Sequence, residues 1–280
     1  MKKAYYTTEK VTDRILAIWS ACGEVLYFIQ GEERGLLMDT NLGVGHLKEL
    51  VDSLTDKPYD VIITHGHVDH ALGAPEYETV YMNHADIPVF QAMSPMEERL
   101  GYLHASLGPS YDDYGFTDGD FVKPEPDKSF LDLNEGDRFD LGGIHVEIYA
   151  FPGHTKGSMI LLVPEERVLI TGDACNDSTF LFDENSGTVE DYKREVLRIK
   201  DLLAGKYDRV LICHHAIDTG VDILAEMAQV CDDIMAGRTD DLPFNFRGYE
   251  AYIAKKCSPH FERDDGRSGN LIYSKNKIFS

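Results

Sequence analysis

The sequence predicts a mixed α/β (α+β) fold in which two sheets pack face to face with helices outside. Three observations predict it. A hairpin–helix–strand pattern occurs twice, the segments inside each copy have helical spacing, and four apolar runs end on histidine or aspartate. A sheet with one apolar face needs a second layer to cover it, and two similar halves supply that layer to each other.

The first copy reads VLYFIQGEERGLLMDT over residues 25–40 and YDVIITHGH over 59–67. The second reads SMILLVPEERVLITGD over 158–173 and YDRVLICHH over 207–215. Each places two short apolar runs around a Glu-Glu-Arg tip, which is a hairpin signature. Each hairpin ends on an aspartate, Asp39 or Asp173. Between hairpin and strand, Val44, Leu47, Leu50, Val51 and Leu54 fall at helical spacing, as do Tyr192, Val196, Ile199 and Leu203. Thr188 with Asp191 three positions on fits a capping box, and Gly205 fits the C′ site. A third helix carries Leu224, Met227, Cys231 and Met235 and stops before Gly237.

The chain has 280 residues, enough to bury a substantial core, and is 43% hydrophobic. With 27 basic and 49 acidic residues its net charge is −22, a field that repels phosphate backbones and argues against a nucleic-acid partner. No apolar run approaches the roughly 20 residues of a membrane span. The start MKKAYYTTEKVTDR lacks the apolar stretch of a secretory signal. Five scattered cysteines read as reduced thiols. The expectation is a cytoplasmic protein with a small-molecule substrate and no membrane or nucleic-acid partner, and it leaves a homodimer open.

The stretch THGHVDH follows the apolar run Val61-Ile62-Ile63 and supplies His65, His67, Asp69 and His70. His154 follows Ile144–Phe151 in FPGHTKGS, Asp173 follows Val168–Thr171 in ITGDA, and His215 follows Arg209–Cys213 in LICHHA. Strand ends carry the ligand sites of α/β proteins. In so tight a turn His65 and His67 reach one ion and Asp69 and His70 another, with Asp173 as the bridging carboxylate. His154 completes the first site and His215 the second. Strand alternation turns His214 to the opposite face from His215. Imidazole and carboxylate without thiolate suit zinc, and also iron or manganese. His84, His104 and His145 are read as structural.

These motifs, LLMDT at Asp39, THGHVDH, FPGHTKGS, TGD and the late His215, resemble those of the metallo-β-lactamase-fold hydrolases, in the same order over roughly residues 20 to 235. The resemblance implies a four-layer αββα sandwich of the metallo-β-lactamase type. It implies two divalent metal ions, zinc the expected pair, and a buried Asp39 that orients ligating imidazoles rather than binding metal. FPGHTKGS is most similar to the glyoxalase II and lactonase branches, which hydrolyse thioesters and cyclic esters. The implied reaction is hydrolysis of a small ester or thioester by a metal-bridging hydroxide, with Asp69 binding metal and passing a proton to the leaving group. A phosphodiesterase and a mononuclear iron oxygenase of the persulfide type are the alternatives on the same scaffold.

The reading is one domain over 1–280, with an insertion at about 94–128 and a C-terminal extension at about 240–280. The insertion, with Tyr102, Tyr111, Tyr114 and Phe116, reads either as a lid or binding wall, or as a packing flap or dimer arm. The extension carries Phe244, Phe246, Arg247 and Tyr249, and does not resemble the helical glutathione-binding domain of glyoxalase II. Asn176 and Phe180 by position, and Arg247 by charge, are the candidate substrate-binding residues.

Overall fold

Both Glu-Glu-Arg stretches fold as hairpin tips. In a computed structural model that describes residues 3–246 and 248–280, the chain divides into two compact units, Met1–Glu147 and Ile148–Ser280. Each contains one copy of the repeat.

The first unit opens with β1 (Tyr6–Lys10), β2 (Ile15–Ser20), β3 (Val25–Gln30) and β4 (Gly35–Met38), each antiparallel to the next. Helix α1 (Leu47–Leu54) then leads to β5 (Tyr59–Ile63), which pairs parallel to β4. The short helix α2 (Val68–Ala71) follows, then β6 (Tyr81–Met82), α3 (Ile87–Met93), α4 (Met96–Leu107) and β7 (Leu131–Asp132). Among the described residues β1 to β7 form a seven-stranded sheet in chain order. β8 (Arg138–Asp140) pairs antiparallel with the start of β9 (His145–Ala150).

Helix α1 starts later than the periodicity suggests. Gly43, Gly45 and His46 all have positive φ, at 66°, 77° and 65°, so no helical turn can form through them. Val44 is instead buried in a bridge to Phe121. Leu47 and Val51 of α1 pack with Leu26, Phe28, Leu37, Val61 and Ile63 of the strands.

The 94–128 segment is built into this core. Leu103 and Leu107 of α4 are buried in it, and Tyr111, Tyr114, Phe116 and Phe121 pack against it. Tyr5 meets Tyr114 and Phe116 edge-on, with ring centroids 6.1 and 5.8 Å apart. Arg99 is buried, and its guanidinium donates to the carbonyls of Gly43, Leu72 and Val122.

The second unit repeats the pattern. β10 (Met159–Val163) and β11 (Val168–Ile170) form the hairpin, α5 (Val189–Leu202) follows β12 (Thr179–Leu181), and β13 (Arg209–Leu211) pairs parallel to β11. β14 (Asp218–Thr219) adds antiparallel to β13, and α6 (Ile223–Met235) follows. The Thr188 hydroxyl accepts the Asp191 N–H at 3.1 Å, capping α5. Gly205 at φ 73° and Gly237 at φ 65° lie just past the two helix ends. Tyr192, Val196 and Ile199 of α5 share a core with Leu224, Met227 and Cys231 of α6.

The C-terminal extension forms a second sheet in this unit. β15 (Leu242–Phe246), β16 (Tyr249–Ile253) and β17 (Leu271–Tyr273) are antiparallel neighbours, and β17 pairs parallel with β12. Phe180, Phe244, Phe246 and Phe261 pack around Phe182 and Ile272. Among the described residues no helix is long and apolar enough to cross a membrane.

Candidate metal centre

Four of the seven expected ligands belong to the first unit. β5 ends at Ile63, and Thr64 ties the following turn to Asp39. Its N–H donates to Asp39 Oδ1 at 2.7 Å and its hydroxyl to Oδ2 at 2.9 Å. Asp39 is 1% exposed and sits in a left-handed conformation, φ 67°, just past β4. Its Oδ2 accepts His70 Nδ1–H at 2.8 Å. Thr64 Oγ1 lies 3.1 Å from His65 Nδ1. Asp39 therefore fixes the orientation of the His70 imidazole.

The tight turn depends on Gly66. A Cβ there would stand 2.7 Å from the Asp86 carbonyl oxygen and 2.9 Å from Phe90 N. The Gly66 N–H donates to the fully buried Asp86 carboxylate at 2.9 Å. The turn brings the His65 and His67 rings to 4.8 Å and the His65 and His70 rings to 4.2 Å. His65 and His67 offer ligand atoms within 4.8 Å of one another, as do Asp69 and His70. His70 Nε2 faces Asp69 Oδ2 at 3.6 Å.

Asp69 is held from two sides. The Tyr102 hydroxyl lies 3.0 Å from its Oδ2, and the Asn41 amide donates to its backbone carbonyl at 3.2 Å. Burial first, then the Asp69 and Glu24 carboxylates, push the Tyr102 phenol well above its ordinary range, so it stays protonated and donates.

The other three expected ligands lie in the second unit. His154 follows Gly153, whose missing Cβ leaves room for the Tyr192 ring. The Thr155 and Ser158 hydroxyls of HTKGS bond each other at 2.7 Å and close the turn. His154 Nδ1–H donates to the Phe180 carbonyl at 2.9 Å, which leaves Nε2 directed at Asp173 Oδ2, 3.8 Å away. Asp173 sits in a single turn, Gly172–Ala174, after β11. Its Oδ1 accepts the Asn176 amide at 3.2 Å.

The sequence choice between the two late histidines is reversed. His214, not His215, is placed on Asp173, with Nε2 3.1 Å from Oδ2. β13 ends at Leu211, and the Ile212 N–H bonds the Ile217 carbonyl at 2.9 Å, so residues 213–216 form a turn. His215 has φ 64° and its ring lies 5.3 Å from Phe261. Alternation of faces holds only for extended backbone, and the backbone has left that state before His214. Burial, then the adjacent His214, holds the His215 imidazole below its usual pKa.

The remaining candidates fall differently. The Asn176 amide bonds the Asp173 carboxylate, and the Phe180 carbonyl accepts His154 Nδ1–H. Arg247 lies outside the described residues. His84 bonds the Phe130 carbonyl at 3.0 Å, His104 lies against Tyr111, and His145 pairs with Glu147. Sequence reasoning missed Asp86 and Glu24 as neighbours of the site, and named Tyr102 only as part of a lid, wall or flap, without its contact to Asp69. Nothing in the spacing of a lone acid or tyrosine marks it as a partner of a distant loop.

The donor set fits a divalent cation. In His65, His70 and His154 the Nδ1 side is engaged by Thr64, Asp39 and the Phe180 carbonyl, so each presents Nε2 as the ligand atom. The first unit adds the Asp69 carboxylate and the second the Asp173 carboxylate, and the donors are imidazoles and carboxylates without a thiol. Nitrogen and oxygen donors of this kind suit zinc, iron or manganese.

Residues 20–214 match the Metallo-beta-lactamase superfamily, and the chain belongs to that superfamily. Its mixed α/β architecture of several sheets and helices is of the metallo-β-lactamase class. Among curated proteins it is similar to the acyl-coenzyme A thioesterase MBLAC2 of Bos taurus, 24% identical over 68% of this chain and 72% of the bovine protein. Among solved structures it is similar to a metallo-β-lactamase from Pontibacter korlensis, with a TM-score of 0.55 at 15% identity over 80% of this chain and 97% of that one. It also resembles the sec-alkylsulfatase Pisa1 from Pseudomonas sp., with a TM-score of 0.61 at 13% identity over 83% of this chain and 42% of that one. Both structural likenesses concern the fold.

Proposed function

We propose that this chain is a dinuclear metal-dependent hydrolase of a small ester or thioester, with zinc as the working metal. The observation that carries the reading is the prepared donor set: imidazoles held at Nδ1 with Nε2 presented beside two carboxylates. His65, His67 and His154 would hold one ion, and Asp69, His70 and His214 the other. Asp173, whose Oδ2 faces both His154 and His214, would be the carboxylate shared by the two ions. Asn176 occupies its Oδ1 and fixes the carboxylate plane.

When bound, two such ions supply a hydroxide nucleophile at neutral pH and polarise the carbonyl oxygen. Asp69, held by Tyr102, would pass a proton to the leaving group. Asp39 and Thr64 keep His65 and His70 aimed throughout the cycle. A thioester ranks first because the bovine relative is named an acyl-coenzyme A thioesterase. The likeness of FPGHTKGS to the glyoxalase II and lactonase branches supports the same acyl class.

The test is elemental analysis of metal-replete protein, with kcat/KM for matched thioesters, esters, lactones and phosphodiesters. About two ions per chain and a preference for acyl substrates are expected. A tenfold preference for phosphodiesters, about 1.4 kcal/mol of transition-state stabilisation, would overturn the acyl assignment. An iron-only preparation that consumes oxygen would overturn the hydrolase.

A further inference from the structure

The inserted helix α4 reaches the metal half-site of the first unit through one side chain. The Tyr102 oxygen stands between two carboxylates, 3.0 Å from Asp69 Oδ2 and 2.7 Å from Glu24 Oε1. Glu24 is 1% exposed. Its Oε2 accepts the Ser20 hydroxyl and, at 3.2 Å, the Asn41 amide. The same Asn41 nitrogen donates at 3.2 Å to the Asp69 carbonyl, so its two N–H groups have one acceptor each. The Asn41 Oδ1 accepts the Tyr5 and Tyr6 hydroxyls at 3.4 Å.

Burying a carboxylate among neutral donors is costly unless its hydrogen bonds are complete, and a complete buried network is rigid. Glu24 backs Asp69 at two levels, through Tyr102 to the carboxylate and through Asn41 to the main chain. The Asp69 oxygen under the phenol is also the one that faces His70 Nε2, at 3.6 Å.

We propose that Tyr102 and Glu24 are positioning residues for Asp69: the single phenol hydrogen, shared between Asp69 Oδ2 and Glu24 Oε1, holds Oδ2 beside His70 Nε2 and ties the phenol to Glu24. This rests on the metal-site reading above. It makes the insertion part of the metal site although it supplies none of the ligands. A phenol is well suited to the task, since it reaches from a helix in the core, carries one donor, and brings no charge to compete with a cation.

The test uses the whole chain loaded with Co(II) alone. The cobalt dissociation constant is read by chelator competition, the coordination geometry by the d–d absorption bands, and folding by the melting temperature of the metal-free protein. Tyr102→Phe keeps the ring and removes the hydroxyl. Losses on removing such an outer partner are typically about 10–100-fold in metal affinity, and that range is expected here, with altered cobalt bands, a lower kcat and little change in KM. Glu24→Gln keeps the volume but loses an acceptor for Ser20 or Asn41, and a smaller loss in the same direction is expected. If Tyr102→Phe does not fold, Glu24→Gln decides. Wild-type cobalt affinity and bands in the folded variants, whatever their melting temperature, would leave Tyr102 a packing residue and overturn the proposal. A wild-type chain that takes up no cobalt overturns this proposal and the metal-dependent reading together, which separates the two failures.

Discussion

Asp173 Oδ2 lies 3.1 Å from His214 Nε2, while the neighbouring His215 packs its ring against Phe261. The same oxygen is 3.8 Å from His154 Nε2. One carboxylate oxygen thus serves two imidazoles within the second unit, and its other oxygen is fixed by Asn176. The two adjacent histidines thus have different surroundings.

His214→Ala should weaken metal binding by more than the roughly 100-fold that marks loss of an outer partner, and hydrolysis should fall with it. His215→Ala should keep its metal. Elemental analysis and chelator competition on both variants check this, and the reverse pattern would restore His215 as the ligand.

Asp39→Asn should fold yet bind metal about 10–100-fold more weakly. Asparagine preserves the shape but offers one acceptor oxygen where the carboxylate offers two. Thr64 and His70 together donate three hydrogen bonds to that group. Chelator competition reads the change, and an unaltered affinity would show that His70 needs no such support.

Arg99→Met should destabilise the protein by about 3 kcal/mol or more. It leaves the carbonyls of Gly43, Leu72 and Val122 without their buried donor, and each such group costs roughly 1–3 kcal/mol. Burial lowers the Arg99 pKa to about 10, so the guanidinium is still charged at neutral pH. The shift in urea midpoint measures the effect, and a change under 1 kcal/mol would mean that water replaces the donor.

Asp241 should contribute to acid sensitivity. Burial opposes its charge, but Lys275 at 2.8 Å and the Thr239 and Tyr273 hydroxyls, both at 2.6 Å, bring its pKa to about 2 from an ordinary 3.8. The folded value lies below the unfolded one. The stabilisation is therefore complete above the unfolded pKa and is lost as pH falls through the folded one. Urea midpoints of wild type and Asp241→Asn should differ at pH 6 and converge as pH falls from about 4 toward 2. A constant difference would assign the effect to packing.

Local pattern was enough to read the elements and the ligand-bearing loops. Apolar runs around Glu-Glu-Arg became the β3–β4 and β10–β11 hairpins, and the following runs became β5 and β13, parallel to β4 and β11. Thr188 was legible as a cap because a cap is a contact between residues three apart. His65, His67, Asp69 and His70 were legible because a histidine-rich turn is dense in chain order. The sequence by itself thus determined which loops carry donors and which chemistry they suit. Tertiary structure alone decided where each donor points. It placed His214 on Asp173, because the strand ends at Leu211 and alternation stops with it. It also set Tyr102 against Asp69 and Asp86 against Gly66, partners 33 and 20 positions apart. Helical and strand periods describe only a residue's near neighbours, and contacts across such separations are fixed by how the elements pack.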